Sequence, residues 1–207
     1  KRLINLESHG RDLLPETPEP GRTVGWFTTT SPFILQSQNL ANQGKAIGDL
    51  IKDVKERLRR VPGGGRDFGL LRWLSTRLSD EERQQLAQLQ PHIGFNYLGM
   101  ISGMDGDGEQ QVQPLDRSLT TSADFEQTLP LDLVLFVQDE QLTIELMYDS
   151  QRINSQQADA LLAEYSLALQ QIADFCTGQH HSEKTATDFT VTELKQDEFD
   201  DILDDIF

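Results

Sequence analysis

The stretch LDLVLFVQDEQLTIELMY, Leu131 to Tyr148, decides the fold class. Leu131 to Val137 is an apolar run of strand length, and Gln138-Asp139-Glu140-Gln141 is a turn. From Leu142 to Tyr148 the residues alternate. Leu142, Ile144, Leu146 and Tyr148 share one parity, and Thr143, Glu145 and Met147 share the other. Successive strand side chains point to opposite faces, so the segment predicts a β-hairpin with one face mostly buried. Downstream, Ala158, Leu161, Leu162, Tyr165, Leu169, Ile172 and Cys176 recur at helical spacing and mark an amphipathic helix.

Working upstream, residues 102–129 carry SGMDGDGEQQ and read as a long loop. HIGFNYLGM, His92 to Met100, reads as a buried strand. Ser79 followed by Glu82 is a capping-box pattern opening a helix, with Leu86 and Leu89 facing inward. Leu70, Leu71, Trp73 and Leu74 suggest a short helix before it. A longer helix is predicted from Ile47, Leu50, Ile51, Val54, Leu58 and Val61, stopped by Pro62-Gly63-Gly64-Gly65. That glycine run is not a phosphate loop, because no strand precedes it and no Gly-Lys-Ser/Thr follows. Thr23 to Leu35, TVGWFTTTSPFIL, is strand-like, and Pro32 places it at a bulge or a sheet edge. Residues 1–22 hold Pro15, Pro18, Pro20 and Gly21 and read as loop. Strand, helices, strand, hairpin, helix is an α/β order that implies a mixed sheet with helices packed on it.

Composition narrows the function. The chain has 207 residues and a formal net charge of −16, a field that repels phosphate backbones and argues against nucleic-acid binding. No apolar run approaches the ~20 residues of a membrane span, so no membrane partner is expected. No secretory signal is visible, and the single Cys176 excludes an internal disulfide, so a reducing cytoplasm is the expected location. Cys176 lies in the apolar rhythm of its helix and reads as a buried structural thiol. Acid is concentrated at the C-terminus. Glu183 to Phe207 carries nine carboxylates against Lys184 and Lys195. Within it Phe199, Ile202, Leu203, Ile206 and Phe207 form one apolar stripe at helical spacing.

The segment that concentrates chemistry is NLESHGRDL, Asn5 to Leu13, with Glu7, His9, Gly10 and Arg11 between leucines. It is either a charged surface loop or a loop whose polar groups face a reaction.

Four stretches in order resemble the epimerization domains of nonribosomal peptide synthetases. NLESHGRDL is similar to that family's Glu-Gly-His-Gly-Arg-Glu motif, with Ser8 for Gly and Asp12 for Glu. RTVGWFTTTSP, Arg22 to Pro32, is close to its Arg-Thr-Val-Gly-Trp-Phe-Thr block, which separates epimerization domains from condensation domains of the same fold. VPGGGRDFGLLRWL matches Pro-x-x-Gly-x-Gly-Tyr-Gly at Pro62, Gly65 and Gly69, departing at Asp67 and Phe68. GFNYLGM, Gly94 to Met100, is similar to Phe-Asn-Tyr-Leu-Gly-Gln, with Met100 for Gln. The resemblance runs from about Leu3 to Gly178. It implies the C-terminal lobe (1–178) of a chloramphenicol-acetyltransferase-like, two-lobe fold built around a tunnel.

The N-terminal lobe of such a domain carries a His-His-x-x-x-Asp-Gly motif. His180-His181 is a decoy for it, because the motif's Asp and Gly would fall on Thr185 and Ala186. Residues 179–186 are a polar linker. Residues 187–207 resemble an acidic, amphipathic donor docking segment that would meet a downstream synthetase subunit through its apolar stripe.

The implied reaction inverts the α-carbon of an aminoacyl or peptidyl thioester held on the 4′-phosphopantetheine arm of an upstream carrier protein. No cofactor is bound by the domain itself and no metal is implied. Proton removal from one face and return to the other needs two acid/base groups and a donor for the enolate-like oxygen. The resemblance assigns Glu7 to one acid/base role and the other lobe's histidine to the second. Asn96 and Tyr97 would donate to the oxygen or relay a proton, although adjacent strand residues reach one tunnel only where the strand bends or ends. His9, Arg11 and Trp26 would orient the site or contact substrate and pantetheine, with Trp26 as tunnel wall or core. The alternative is a condensation-type or inactive relative that binds carrier protein and partner subunit.

Overall fold

The computed structural model describes residues 2–11, 23–35, 47–101, 128–179 and 184–188. Among the described residues five strands form one sheet: β1 (Arg2–Ser8), β2 (Thr29–Leu35), β3 (Ile93–Met100), β4 (Leu131–Gln138) and β5 (Gln141–Tyr148), in the order β2-β1-β3-β4-β5. The pairs β1–β3 and β3–β4 are parallel and the outer pairs are antiparallel, so the sheet is mixed as expected. Among the described residues four α-helices accompany it: α1 (Ile47–Arg59), α2 (Asp67–Leu74), α3 (Asp80–Gln88) and α4 (Ser155–Gly178).

The hairpin forms where alternation placed it. Leu131 pairs with Tyr148 and Gln138 with Gln141. The connection is two residues, Asp139 and Glu140, both with positive φ. That is the turn hand that matches strand twist. Leu131, Leu133 and Leu135 are buried on one face and gather Phe95, Leu146, Tyr165 and Leu169. Burial there pushes the Tyr165 phenol pKa up. α4 opens on a capping box in which the Gln157 amide donates to Asn154 Oδ1 at 2.9 Å and the Asn154 amide to Gln157 Oε1 at 3.0 Å. The Ser79–Glu82 box opens α3 in the same way.

Three expectations are corrected. Residues 2–8 are not loop: β1 lies in the interior of the sheet, with Ile4 buried between Phe33 and Ile93 on the neighbouring strands. The strand read from Thr23 begins only at Thr29, and Val24 and Trp26 ahead of it are exposed. Pro32 does sit in an edge strand of the described sheet, the place where a residue without an N–H is tolerated. Cys176 is exposed. At 24 residues α4 is about 36 Å long, against about 27 Å for an eight-residue strand, so its last turns outrun the sheet. There Phe175 packs instead against Gly48 of α1.

The polar segment after α4 is not all solvated. Thr185 is fully buried and Ala186 nearly so. A short 3-10 turn, Ala186–Asp188, is clasped onto α1. Glu56 accepts from the Thr187 amide at 3.1 Å and from Thr187 Oγ1 at 2.6 Å. Asp188 accepts from the Thr185 amide at 2.9 Å and pairs with Lys55 and Arg59. Hydrogen bonds from Lys55 and Arg59 hold the Asp188 carboxyl well below its ordinary range. Burial pushes Glu56 up, but hydrogen bonds from Thr185 and Thr187 and the Arg60 charge outweigh it, so its pKa is also lowered. Both folded pKa values lie below the free ones. The clasp therefore contributes fully above roughly pH 4–5 and is lost as pH falls through the folded values. Amide-exchange protection at Thr185 and Thr187 is expected to fall in strong acid before that of β4. Protection that fell in step with β4 would contradict this.

Candidate functional site

Strand register builds the site. Glu7, one residue from the end of β1, lies opposite Asn96 of β3 and, on its other side, Thr30 of β2. Asn96 lies opposite Val134, and Val134 opposite Glu145. Thr30, Glu7, Asn96, Val134 and Glu145 thus form one rung across all five strands, on the face away from the Leu131–Leu133–Leu135 core. Neighbouring strands run about 4.8 Å apart, so Glu7 and Asn96 are immediate neighbours. Both are half-buried. The preceding rung on this face is Pro32, Asn5, Gly94, Asp132 and Met147. A Cβ at Gly94 would press on the ends of two side chains, the Asp132 carboxylate and Leu129 Cδ1, at 2.8 Å from the latter.

Tyr97 is not brought to this pair. β3 continues to Met100, and Tyr97 pairs with Leu135, one of the core leucines, on the opposite face. It is 54% exposed, so it is not a core aromatic either.

Beyond β1 the chain turns tightly through His9, Gly10 and Arg11. The Arg11 amide donates to His9 Nδ1 at 3.2 Å, which fixes the exposed ring against the turn. Arg11 Nη1 donates to the Thr23 carbonyl at 3.1 Å, and its guanidinium lies 4.4 Å from the Phe27 ring centre. The Arg11 contacts tie the end of β1 to the segment leading into β2. Gly10 has φ +66, and a Cβ there would overlap the Phe27 carbonyl oxygen. Trp26 is 88% exposed, so the structure does not support a core role for it.

Sequence reasoning missed Asn5, Asp132 and Glu145 on the face that carries Glu7 and Asn96. The signal was present: Asn5 in RLINLES shares the parity of Glu7, and Asp132 in LDLVLF and Glu145 in LTIELMY take the parity opposite the buried leucines. His180 and His181, and the stripe of Phe199, Ile202, Leu203, Ile206 and Phe207, lie outside the described residues. Among the described residues no group of three or more His, Cys, Asp and Glu could hold a metal ion, and no helix is long and apolar enough to cross a membrane.

Comparison with known proteins sets this geometry in a family. The profile described as Condensation domain matches residues 1–195. Surfactin synthase subunit 1 of Bacillus subtilis (strain 168) is 30% identical over 202 residues, covering 97% of this chain and 5% of that protein. Tyrocidine synthase 2 of Brevibacillus parabrevis is 30% identical over 98% of this chain and 6% of its own length. Gramicidin S synthase 1 of Brevibacillus brevis is 30% identical over 99% of this chain and 19% of its own. The chain thus spans only a small part of these relatives. A crystal structure of the epimerization domain from the third module of tyrocidine synthetase B superposes with a TM-score of 0.69 at 31% identity, covering 84% of this chain and 38% of that one. On the profile match, the chain belongs to the Condensation domain family.

Proposed function

We propose that the chain is the C-terminal lobe of an epimerization domain in a nonribosomal peptide synthetase. It would invert the α-carbon of an aminoacyl or peptidyl thioester presented on a carrier protein's phosphopantetheine arm. The observation that carries this reading is the Glu7–Asn96 pairing on one polar sheet face. The four ordered motifs and the likeness to a solved epimerization domain support it. A thioester acidifies its α-hydrogen and delocalises the resulting charge onto the carbonyl oxygen. Glu7 is the acid/base group on this side of the substrate. The Asn96 side-chain amide donates to the oxygen that becomes enolate-like, a preorganised dipole aimed at developing charge. His9 and Arg11 position the end of β1 and hence Glu7. The second acid/base group comes from the N-terminal lobe. The test is α-proton exchange: the intact protein, loaded with an L-aminoacyl thioester in deuterated water, should incorporate deuterium at the α-carbon and yield a D/L mixture.

The family match itself favours a second reading, a condensation-type domain. Product chirality separates the two: condensation without loss of configuration and without α-exchange would establish it and remove the first.

We further propose that residues 187–207 are a docking segment whose apolar stripe and eight carboxylates suit a basic, apolar groove on a downstream subunit. Thr187 and Asp188 belong to the clasp on α1, so a truncation that tests this should begin beyond Asp188. Deleting 190–207 is expected to leave α-proton exchange within about twofold and to reduce transfer to the partner subunit by about tenfold or more, as removal of a hot-spot cluster does. A parallel loss of both would place the segment in the fold instead.

A further inference from the structure

An open groove of about 810 Å³ lies between β2 and α2. Val61, Pro62, Phe68, Leu70, Leu71 and Leu74 give it an apolar lining. Leu70 is 56% exposed and Leu74 72%, so α2 turns apolar side chains to solvent along this side. A contiguous apolar patch with a polar rim marks an interaction surface. Its charge differs from that of the chain as a whole. Residues 57–79 hold six arginines and one carboxylate, in a protein of net charge −16. That carboxylate, Asp67, lines the groove and is answered by Arg66 at 3.4 Å. Arg57, Arg59 and Arg60 are paired with Asp53, Asp188 and Glu56. Arg77 at the rim is exposed and makes no ion pair among the described residues, so the groove carries a small positive surplus.

The origin of the acidic tail selects the occupant. The clasp fixes Asp188 to Lys55 and Arg59 of α1. Val61 is two residues beyond Arg59, at most about 7 Å of main chain, and there the groove begins. Nineteen residues follow Asp188. They carry seven carboxylates against Lys195, together with the apolar stripe of Phe199, Ile202, Leu203, Ile206 and Phe207. Eleven positions separate Asp188 from Phe199, a tether with an r.m.s. reach of about 18 Å. The stripe is thus released within reach of an apolar groove whose own carboxylate is neutralised and whose rim is cationic. A short flexible tether gives a millimolar effective concentration, so a groove that binds the stripe with an affinity of only ~1 mM is already about half filled by its own chain. A partner arriving from solution at micromolar concentration has to bind about a thousandfold more tightly to match that. We infer that residues 189–207 occupy this groove of their own lobe when no downstream subunit is bound, with the stripe against Leu70, Leu71 and Leu74 and the carboxylates toward Arg77. The inference rests on the proposed docking role of the tail and adds to it a second site that competes with the partner subunit.

The test puts the photo-crosslinker benzoylphenylalanine in place of Leu74, an exposed position, in the intact protein. Irradiation is expected to join it to residues 189–207 of the same chain. Crosslinks to any other part of the chain give the groove a different occupant and overturn the inference. So do crosslinks between chains whose yield rises with concentration, which make the occupant a second copy, and so does the absence of any crosslink. A second measurement titrates the protein with a synthetic peptide of residues 189–207. Ile202→Asp together with Ile206→Asp should release the tail from the groove. The peptide is then expected to bind about tenfold more tightly than to the unaltered protein, where a tethered competitor is already in place. Adding Leu74→Asp should remove that binding. Equal affinity for the unaltered and stripe-altered proteins overturns the inference. If the tail does not enter the groove while its deletion still impairs transfer to the partner subunit, only this inference falls. If the tail fills the groove while its deletion leaves transfer intact, the docking role falls and the groove assignment stands.

Discussion

Replacing Glu7 with Gln is expected to slow α-proton exchange of the carrier-bound thioester by at least about a hundredfold, with thermal stability nearly unchanged. The size follows from the role: a positioned acid/base group contributes roughly a hundredfold to ten-thousandfold. The geometry makes the change specific. Glu7 is half-buried near the end of β1, outside the Leu131–Leu133–Leu135 core, and faces Asn96 across one strand gap. Glutamine keeps the shape and loses the proton acceptor, so no cavity forms and no packing is lost. Exchange at an undiminished rate in a folded Glu7→Gln protein would remove this residue from the mechanism. Loss of fold together with exchange would assign it a structural role.

The second large effect is on stability. Gly10→Ala is expected to destabilise the protein by about 3 kcal/mol, from a left-handed backbone strained by a side chain and a clash that must be relieved by moving main chain. The opposing atom is the Phe27 carbonyl oxygen, which cannot swing aside as a flexible side chain would. The change would also dislodge the Arg11 bond to the Thr23 carbonyl and loosen the turn that follows Glu7. Activity should therefore fall along with the denaturation midpoint. A loss under about 1 kcal/mol would mean that the turn and the Phe27 segment are not in contact in solution.

Much of the fold was legible because it is locally encoded. The hairpin announced itself by parity, α3 by its Ser79–Glu82 box and α1 by its apolar spacing, and all three form where expected. β1 was missed because its apolar signal, Leu3, Ile4 and Leu6, is short and lies beside a proline-rich stretch. Its strand character comes from pairing with β2 and β3, which no local window contains. Cys176 failed for a related reason. It has core-forming chemistry, but burial depends on what lies opposite, and among the described elements nothing covers it closely. At the site, the motifs singled out Glu7 and Asn96, and register set them side by side. Tyr97 shares a motif with Asn96, but it pairs with Leu135 ahead of the register shift between Tyr97 and Met100, so strand parity sets it on the face opposite Asn96.

The same topology divides the molecule by how costly each half is to assemble. The apolar core closes through a two-residue turn between β4 and β5 and the helix that follows at once. The Glu7–Asn96 rung instead joins two parallel strands whose facing residues are about ninety positions apart, a closure whose entropic cost grows with the length of the intervening chain. Structural integrity is thus vested in neighbours along the sequence, while the proposed reactivity depends on a long-distance rendezvous and on the part of the sheet most exposed to anything that delays it.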